Sequence, residues 1–408
     1  MSVVDQYPVS LPDPSLGNNR FVHYVLGGEA AAEDYRQAPL ARDLGVRPDL
    51  DKGGLQWVYF HITDSAQGIH VFGGAMYTQA LRPRGIDPRL SLVVVTPDGA
   101  VSREVVRCDP KSFKASELGL NATFNESSHM LTVGGQDQYV EGGRVTRPLD
   151  VDVSLHGKRI SIDVISRGKY RPTWGGTGGT KYGRDQGIHL GWIQYQPFAL
   201  VSGTLKVGDR SYDIQEAMGH MDSGNGNSPK SLRQENHWYW RVLHGDNGRF
   251  VLVESIATAC AKMGNETRQR IVLGVDGEII GEDPRRYMPM ISDPVRVVGT
   301  RDNFRSTAYS GSYLGDDGKT CYIWHLDSGP EIFRSNLFSM FTDSAWVAKV
   351  AGLLNDSGVY FTGRYQQHQI EGVLRCMVLG DDGRWRLEET VPLHGVQELF
   401  HPKNQRLR

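Results

Sequence analysis

Long apolar runs are missing from this 408-residue chain. Its opening, MSVVDQYPVSLPDPSLGNNR, is polar and carries prolines. It has neither the apolar stretch of a secretory leader nor the run of about 20 apolar residues that a membrane helix needs. The expectation is a cytoplasmic protein with no integral membrane segment. An excess of one charge is also missing. The 45 Lys and Arg face 47 Asp and Glu, for a net charge of −2, which leaves no basic surplus for the phosphates of a nucleic acid. Cysteine is scarce: Cys108, Cys260, Cys321 and Cys376 are far apart and form no CxxC pair. That spacing speaks against a disulfide or zinc framework and for reduced core thiols. The 13 histidines include no HExxH and no His-x-His, and His220, His237 and His244 lack a partner at ligand spacing, so no metal is expected.

Sustained helical periodicity is sparse. Only 30–45 and 335–354 space their apolar residues as short helices do. No GxGxxG opens a βαβ unit and no GxSxG forms a nucleophile elbow, which removes nicotinamide, flavin and α/β-hydrolase chemistry. The glycine run WGGTGGTKYG (174–183) lacks phosphate-loop spacing and is followed by no helical pattern. It reads as a loop over a barrel mouth.

What the chain has is glycine, 48 residues of it, placed as hairpin punctuation. PDG (97–99), DNG (246–248), DG (276–277) and DDG (316–318 and 381–383) each sit between alternating runs rich in Val, Ile, Tyr, Phe and Trp. The fold class is therefore all-β, antiparallel, in barrels or sandwiches. A chain of this length exceeds one small core. The polar segment 225–236 is the natural crossover or lid, dividing an N-terminal unit, 1–228, from a C-terminal unit, 229–408.

One stretch breaks the apolar logic of these strands. In GTLKVGDRSYDIQEAMGHMDSGNGN (203–227) the strand buries Tyr212 and Ile214 and then places Glu216, His220 and Asp222 at the same alternation. Simple alternation aims all three at the interior, where ionisable groups are costly unless paired, wet or functional. Aromatic residues accompany them. Trp238 and Trp240 share a face with Val242 and His244, and Trp174, Trp192 and Tyr195 complete a candidate lining for an apolar ligand.

The string Tyr195…Pro197…Val201–Ser202–Gly203–Thr204–Leu205…Asp209…Tyr212, running into Gly219–His220–Met221–Asp222, resembles the central signature of the carotenoid 1,2-hydratase/AttH-like lipocalin family. Trp238–Tyr239–Trp240 and QIEGVLR (369–375) extend the resemblance. It implies two consecutive lipocalin-like β-domains. It also implies cofactor-independent chemistry on hydrophobic substrates, from hydration of isoprenoid double bonds to Diels–Alder formation of decalins. The family's Asp-His-x-Trp-Gly is kept at Asp222 and Gly226, whereas Ser223 and Asn225 stand at its His and Trp positions. On the residues themselves, His220 is the histidine available to Asp222.

The expected catalytic residues are thus His220, Asp222 and Glu216, and the expected substrate-binding residues are Trp238, Trp240, Tyr195, Trp192 and Trp174. No cofactor is expected, and the partner is a hydrophobic terpenoid or polyketide held in a barrel cavity. Protonation chemistry (hydration, dehydration, isomerisation, cyclisation), pericyclic catalysis and non-catalytic carriage of a lipophilic metabolite all remain open.

Overall fold

The structure is a computed structural model. It describes residues 38–39, 55–78, 88–109, 111–112, 114–115, 122–125, 128–133, 140–176, 190–226, 237–258, 267–282, 287–290, 308–336 and 364–401. The expected helices at 30–45 and 335–354, the glycine run beyond Gly176, the segment after Gly226 and Cys260 fall wholly or almost wholly outside these residues.

Among the described residues the elements are β-strands and a short 3-10 turn at Asp246–Gly248, with no α-helix. Each Asp-Gly and Asn-Gly site found in the sequence turns a hairpin. At 276–277 both residues take the left-handed conformation, φ 52° for Asp276 and 85° for Gly277, which matches the twist of the flanking strands. No helix among these residues is long and apolar enough to cross a membrane.

The strands form two large antiparallel sheets. In the first, Val101–Arg107, Arg89–Val95, Ile69–Thr78 and Leu55–Asp64 run as a meander, and Leu55–Asp64 then pairs with Arg210–Gly226. The sheet continues through Leu190–Val207, Ile160–Gly168 and Asp150–His156 to short strands near Ala122. Its ends curl toward each other. The Glu104 carboxylate accepts the backbone N–H groups of Lys158, Arg159 (2.7 Å) and Ile160 (2.7 Å), tying the edge strand to the far hairpin. In the second sheet Glu278–Gly281, Thr267–Val275, Phe250–Thr258 and His237–Gly245 form the meander. His237–Gly245 pairs with Trp385–His401, which is followed by Arg364–Leu379, Thr320–Asn336 and Ala308–Leu314. Both sheets thus pair the first strand of the meander with the last strand of the unit.

Alternation sorts each strand into two faces. In the first sheet Val58, Phe60, Ile62, Val71, Leu92, Val164 and Tyr195 fill the concave interior. In the second, Leu243, Leu252, Leu273, Trp324 and Leu393 do so. The opposite faces are also apolar, because the two sheets pack on each other. Tyr170, Trp192, Phe198 and Met218 of the first meet Trp240, Val242, Val253 and Val396 of the second. Beside them Phe72 meets Phe333 at 4.9 Å between ring centres. Contact is close enough that a Cβ on Gly248 would lie 2.1 Å from the Phe198 ring. The Tyr170 hydroxyl is shared between the carbonyl oxygens of Gly248 and Arg249, both at 2.7 Å.

Candidate active site between the two sheets

A β-bulge decides where the ionisable strand end points. Across the Leu190–Val207/Arg210–Gly226 hairpin, Gly203 pairs with Ile214 and Val201 with Ala217. Two residues, Gln215 and Glu216, therefore oppose the single Ser202. Glu216 absorbs the extra length at φ 52°, its N–H donating to Ser202 Oγ at 3.1 Å, and its side chain is exposed. The expectation that Glu216 shares an interior with His220 and Asp222 is corrected here. Past the bulge the phase reverses: Ala217 and Met221 enter the first core with Ile214. Met218, His220 and Asp222 turn instead to the layer between the sheets.

His220 is buried there. Its Nδ1 lies 3.1 Å from the Pro197 carbonyl oxygen. A carbonyl only accepts, so Nδ1 carries the proton, and Nε2 is the nitrogen left for other chemistry. Nε2 stands 3.6 Å from Asp222 Oδ2, beyond hydrogen-bond length, and no hydrogen-bond partner meets it. Trp240 reaches in from the second sheet. Its ring stands edge-on to His220 at 4.9 Å and to Tyr59 at 5.7 Å between centres.

The register places Tyr59 and Gln194 on either side of Asp222, and His61 beside His220. Gln194 is fully buried with both amide atoms unpartnered, and the Trp240 indole N–H is likewise unmet. Four unsatisfied polar atoms on Gln194, His220 and Trp240 thus stand within one buried layer. Such atoms are costly when left without partners.

A second polar group crosses the sheets. The Tyr365 hydroxyl donates to Glu398 Oε2 at 2.6 Å. Gln367 Nε2 lies 2.5 Å from the Tyr365 oxygen, 3.0 Å from Glu398 Oε2 and 3.3 Å from the Tyr59 oxygen. Burial raises the Tyr59 phenol well above its ordinary pKa, with the Glu398 and Asp222 carboxylates adding to the shift. Tyr365 is raised by burial and by Glu398. Both phenols are therefore held protonated, as donors. His61 is pushed well below 6.5 by burial and then by the imidazoles of His220, His70 and His244.

Of the expected lining, Trp192 and Trp240 lie in this layer. Tyr195 and Trp174 do not: they pack in and against the first core, because positions 192 and 195 are out of phase on one strand. Trp238 sits on the His237–Gly245 strand, but its side chain lies outside the described residues. The interior of the first barrel is filled by its own side chains. Its cavity lined by Phe60, Val153, Val164, Ser166 and Met221 measures about 10 Å³, the room of one water. The sequence reading missed Tyr59, His61, Gln194, Tyr365, Gln367 and Glu398. The run LQWVYFHITD carried a legible signal: Val58, Phe60 and Ile62 alternate with Trp57, Tyr59, His61 and Thr63. Among the described residues, no three His, Cys, Asp or Glu stand where they would hold a metal ion.

No family model matches the chain, and no curated protein matches it by sequence. Solved structures match it by fold. A Nitrosomonas europaea protein described as an AttH superposes with a TM-score of 0.54 at 11% identity, over 93% of this chain and 100% of that one. CghA with Sch210972 superposes with a TM-score of 0.54 at 12% identity, over 87% and 90%. At such identity the likeness is one of fold. It is the two-domain lipocalin-like fold of AttH that the stretch from Tyr195 to Gly226 resembles.

Proposed function

We propose that this chain is a cofactor-independent enzyme that acts on a hydrophobic terpenoid or polyketide in the layer between its two sheets. His220 and Asp222 are the acid/base pair. The observation that carries the reading is the group of unmet polar atoms on Gln194, His220 and Trp240, beside a carboxylate and among aromatic faces. A protonated Nε2 gives its proton to an alkene carbon, and the alkene electron pair forms the new C–H bond. The cation left on the neighbouring carbon faces Trp240 and Tyr59, whose rings attract positive charge. Water adds to it and returns a proton to Nε2, completing hydration. Loss of a proton from an adjacent carbon gives isomerisation instead. The fold supports this reading by analogy alone, since CghA carries a small molecule, Sch210972.

The unmet N–H groups of Gln194 and Trp240 favour a second reading, pericyclic catalysis, in which a donor polarises a dienophile carbonyl in a fixed conformer. One experiment separates the readings. The chain is incubated in D₂O with linear terpenoid and polyketide alkenes, and the products are weighed by mass spectrometry. Proton chemistry places deuterium on carbon at each turnover. Conversion without deuterium means pericyclic catalysis, and alkenes bound but returned unchanged mean a carrier, not an enzyme.

A further inference from the structure

The second barrel carries a polar row that the inter-sheet site does not use. Register aligns Glu254 with Arg241, Arg241 with Gln397, Gln397 with His368, and His368 with Glu331. Four adjacent strands thus bring one buried polar side chain each, Glu254, Arg241, Gln397 and His368, to the same level of the concave face, and the exposed Glu331 follows on the fifth. Two residues nearer the hairpin turns, the same strands present Leu252, Leu243 and Ile370 around Gly395. The row therefore lies across an apolar base. The corresponding face of the first sheet carries Val58, Phe60, Ile62 and Met221, so the fold does not require a polar interior at this position.

Arg241 and Glu254 form an ion pair with each side chain only 1% exposed, and the Arg241 guanidinium lies 3.5 Å over the Tyr309 ring. Desolvating such a pair costs as much as or more than its attraction returns, which makes it weak as a device for stability alone. Gln397 is fully buried. One end of its amide donates to the Tyr309 hydroxyl at 2.8 Å, and the other, Oε1, has no partner. The Tyr239 ring stands 6.4 Å from that of Tyr309.

We propose that the second barrel holds its own binding site, for a small phenolic molecule. The phenol hydroxyl meets the open end of the Gln397 amide, and its ring lies with Tyr239 and Tyr309. A hydroxyl both donates and accepts, so it suits either orientation of that amide.

The test uses the full chain and two probes, 4-fluorophenol and fluorobenzene, titrated by ¹⁹F NMR. The expected result is saturable binding of 4-fluorophenol about tenfold tighter than fluorobenzene, the scale of one buried hydrogen bond. Gln397→Met should bring the two probes to parity, while His220→Ala leaves the preference unchanged. Equal affinities in the wild type, a preference that survives Gln397→Met, or one lost in His220→Ala would each overturn the proposal. Because Gln397→Met risks misfolding, the wild type is also photolabelled with 4-azidophenol and digested. Label on Ala308–Leu314 or Trp385–His401 supports the site, and label confined to the first sheet refutes it.

Discussion

His220 owes its chemical potential to a division of labour between its two nitrogens. Pro197 fixes the tautomer through Nδ1, and Asp222 sets the charge seen by Nε2. Asp222→Asn keeps the size and removes the charge, and should cut turnover by ~10²-fold, the scale of a lost acid/base partner. Thermal unfolding and ligand affinity should change little. Unchanged turnover would make Asp222 a strand-end carboxylate only.

The neighbouring imidazoles make a pH prediction. Burial holds His70 and His244 at about 4 in the fold, whereas a histidine in the unfolded chain titrates near 6.5. Well above pH 6.5 neither state binds these protons, and their contribution to stability is complete. As the pH falls toward 4 the unfolded chain binds protons that the fold refuses, so stability falls. A melting temperature followed from pH 7 to 4 should drop, and the drop should be shallower in His70→Gln. A parallel curve for the variant would remove His70 from the explanation.

At the scale of the element, the bulge at Gln215–Glu216 is the decisive local feature. Glu216→Gly should stabilise the fold by about 1 kcal/mol, because glycine adopts positive φ without the side-chain penalty, and should leave turnover intact. Loss of turnover in that variant would reinstate Glu216 as catalytic. Deleting Glu216 removes the extra residue and leaves Gln215 alone opposite Ser202, so Ala217 and Met221 stay in the first core while Met218, His220 and Asp222 keep facing the second sheet. Far-UV CD should then show a cooperative unfolding transition like that of the wild type, and a lost transition would mean that the bulge itself is needed for folding. The bulge also marks the limit of what the sequence disclosed. Asp-Gly turns and period-2 runs expose hairpins directly, since both signals are local. A bulge has no such signature. Gln215 and Glu216 are ordinary strand-edge residues, and only their pairing with Ser202 across the hairpin reveals the phase change. Trp192 and Tyr195 stand on opposite faces of one strand, so only Trp192 reaches the layer between the sheets. Trp240 was legible, because no bulge interrupts the strand from His237 to Gly245.

At the scale of the whole molecule, two sheets of the same connection join by their outer faces, and the candidate site is made where they meet. Neither domain contains it alone: Gln194, His220 and Asp222 come from the first, Trp240, Tyr365 and Glu398 from the second. Tyr365, Gln367 and Glu398 could be found only by docking the sheets, because more than 140 residues separate them from His220 (Tyr365 is 145 positions on). Gly248→Ala tests the closeness of that docking. A Cβ there would run into Phe198 at positive φ, so the melting temperature should fall by several degrees, the effect of about 1–3 kcal/mol of overpacking. An unchanged melting temperature would mean that the sheets have room to part.

The most direct test of a reactive layer between the sheets is the deuterium incorporation rate of His220→Gln. It is measured on whichever alkene the D₂O screen identifies, alongside that alkene's affinity. Glutamine keeps a polar amide near the position of Nε2 but cannot shuttle a proton. Incorporation should fall by ~10²-fold or more while affinity stays within about threefold, well under 1 kcal/mol. Incorporation at the wild-type rate would contradict a catalytic His220 and place the chemistry elsewhere.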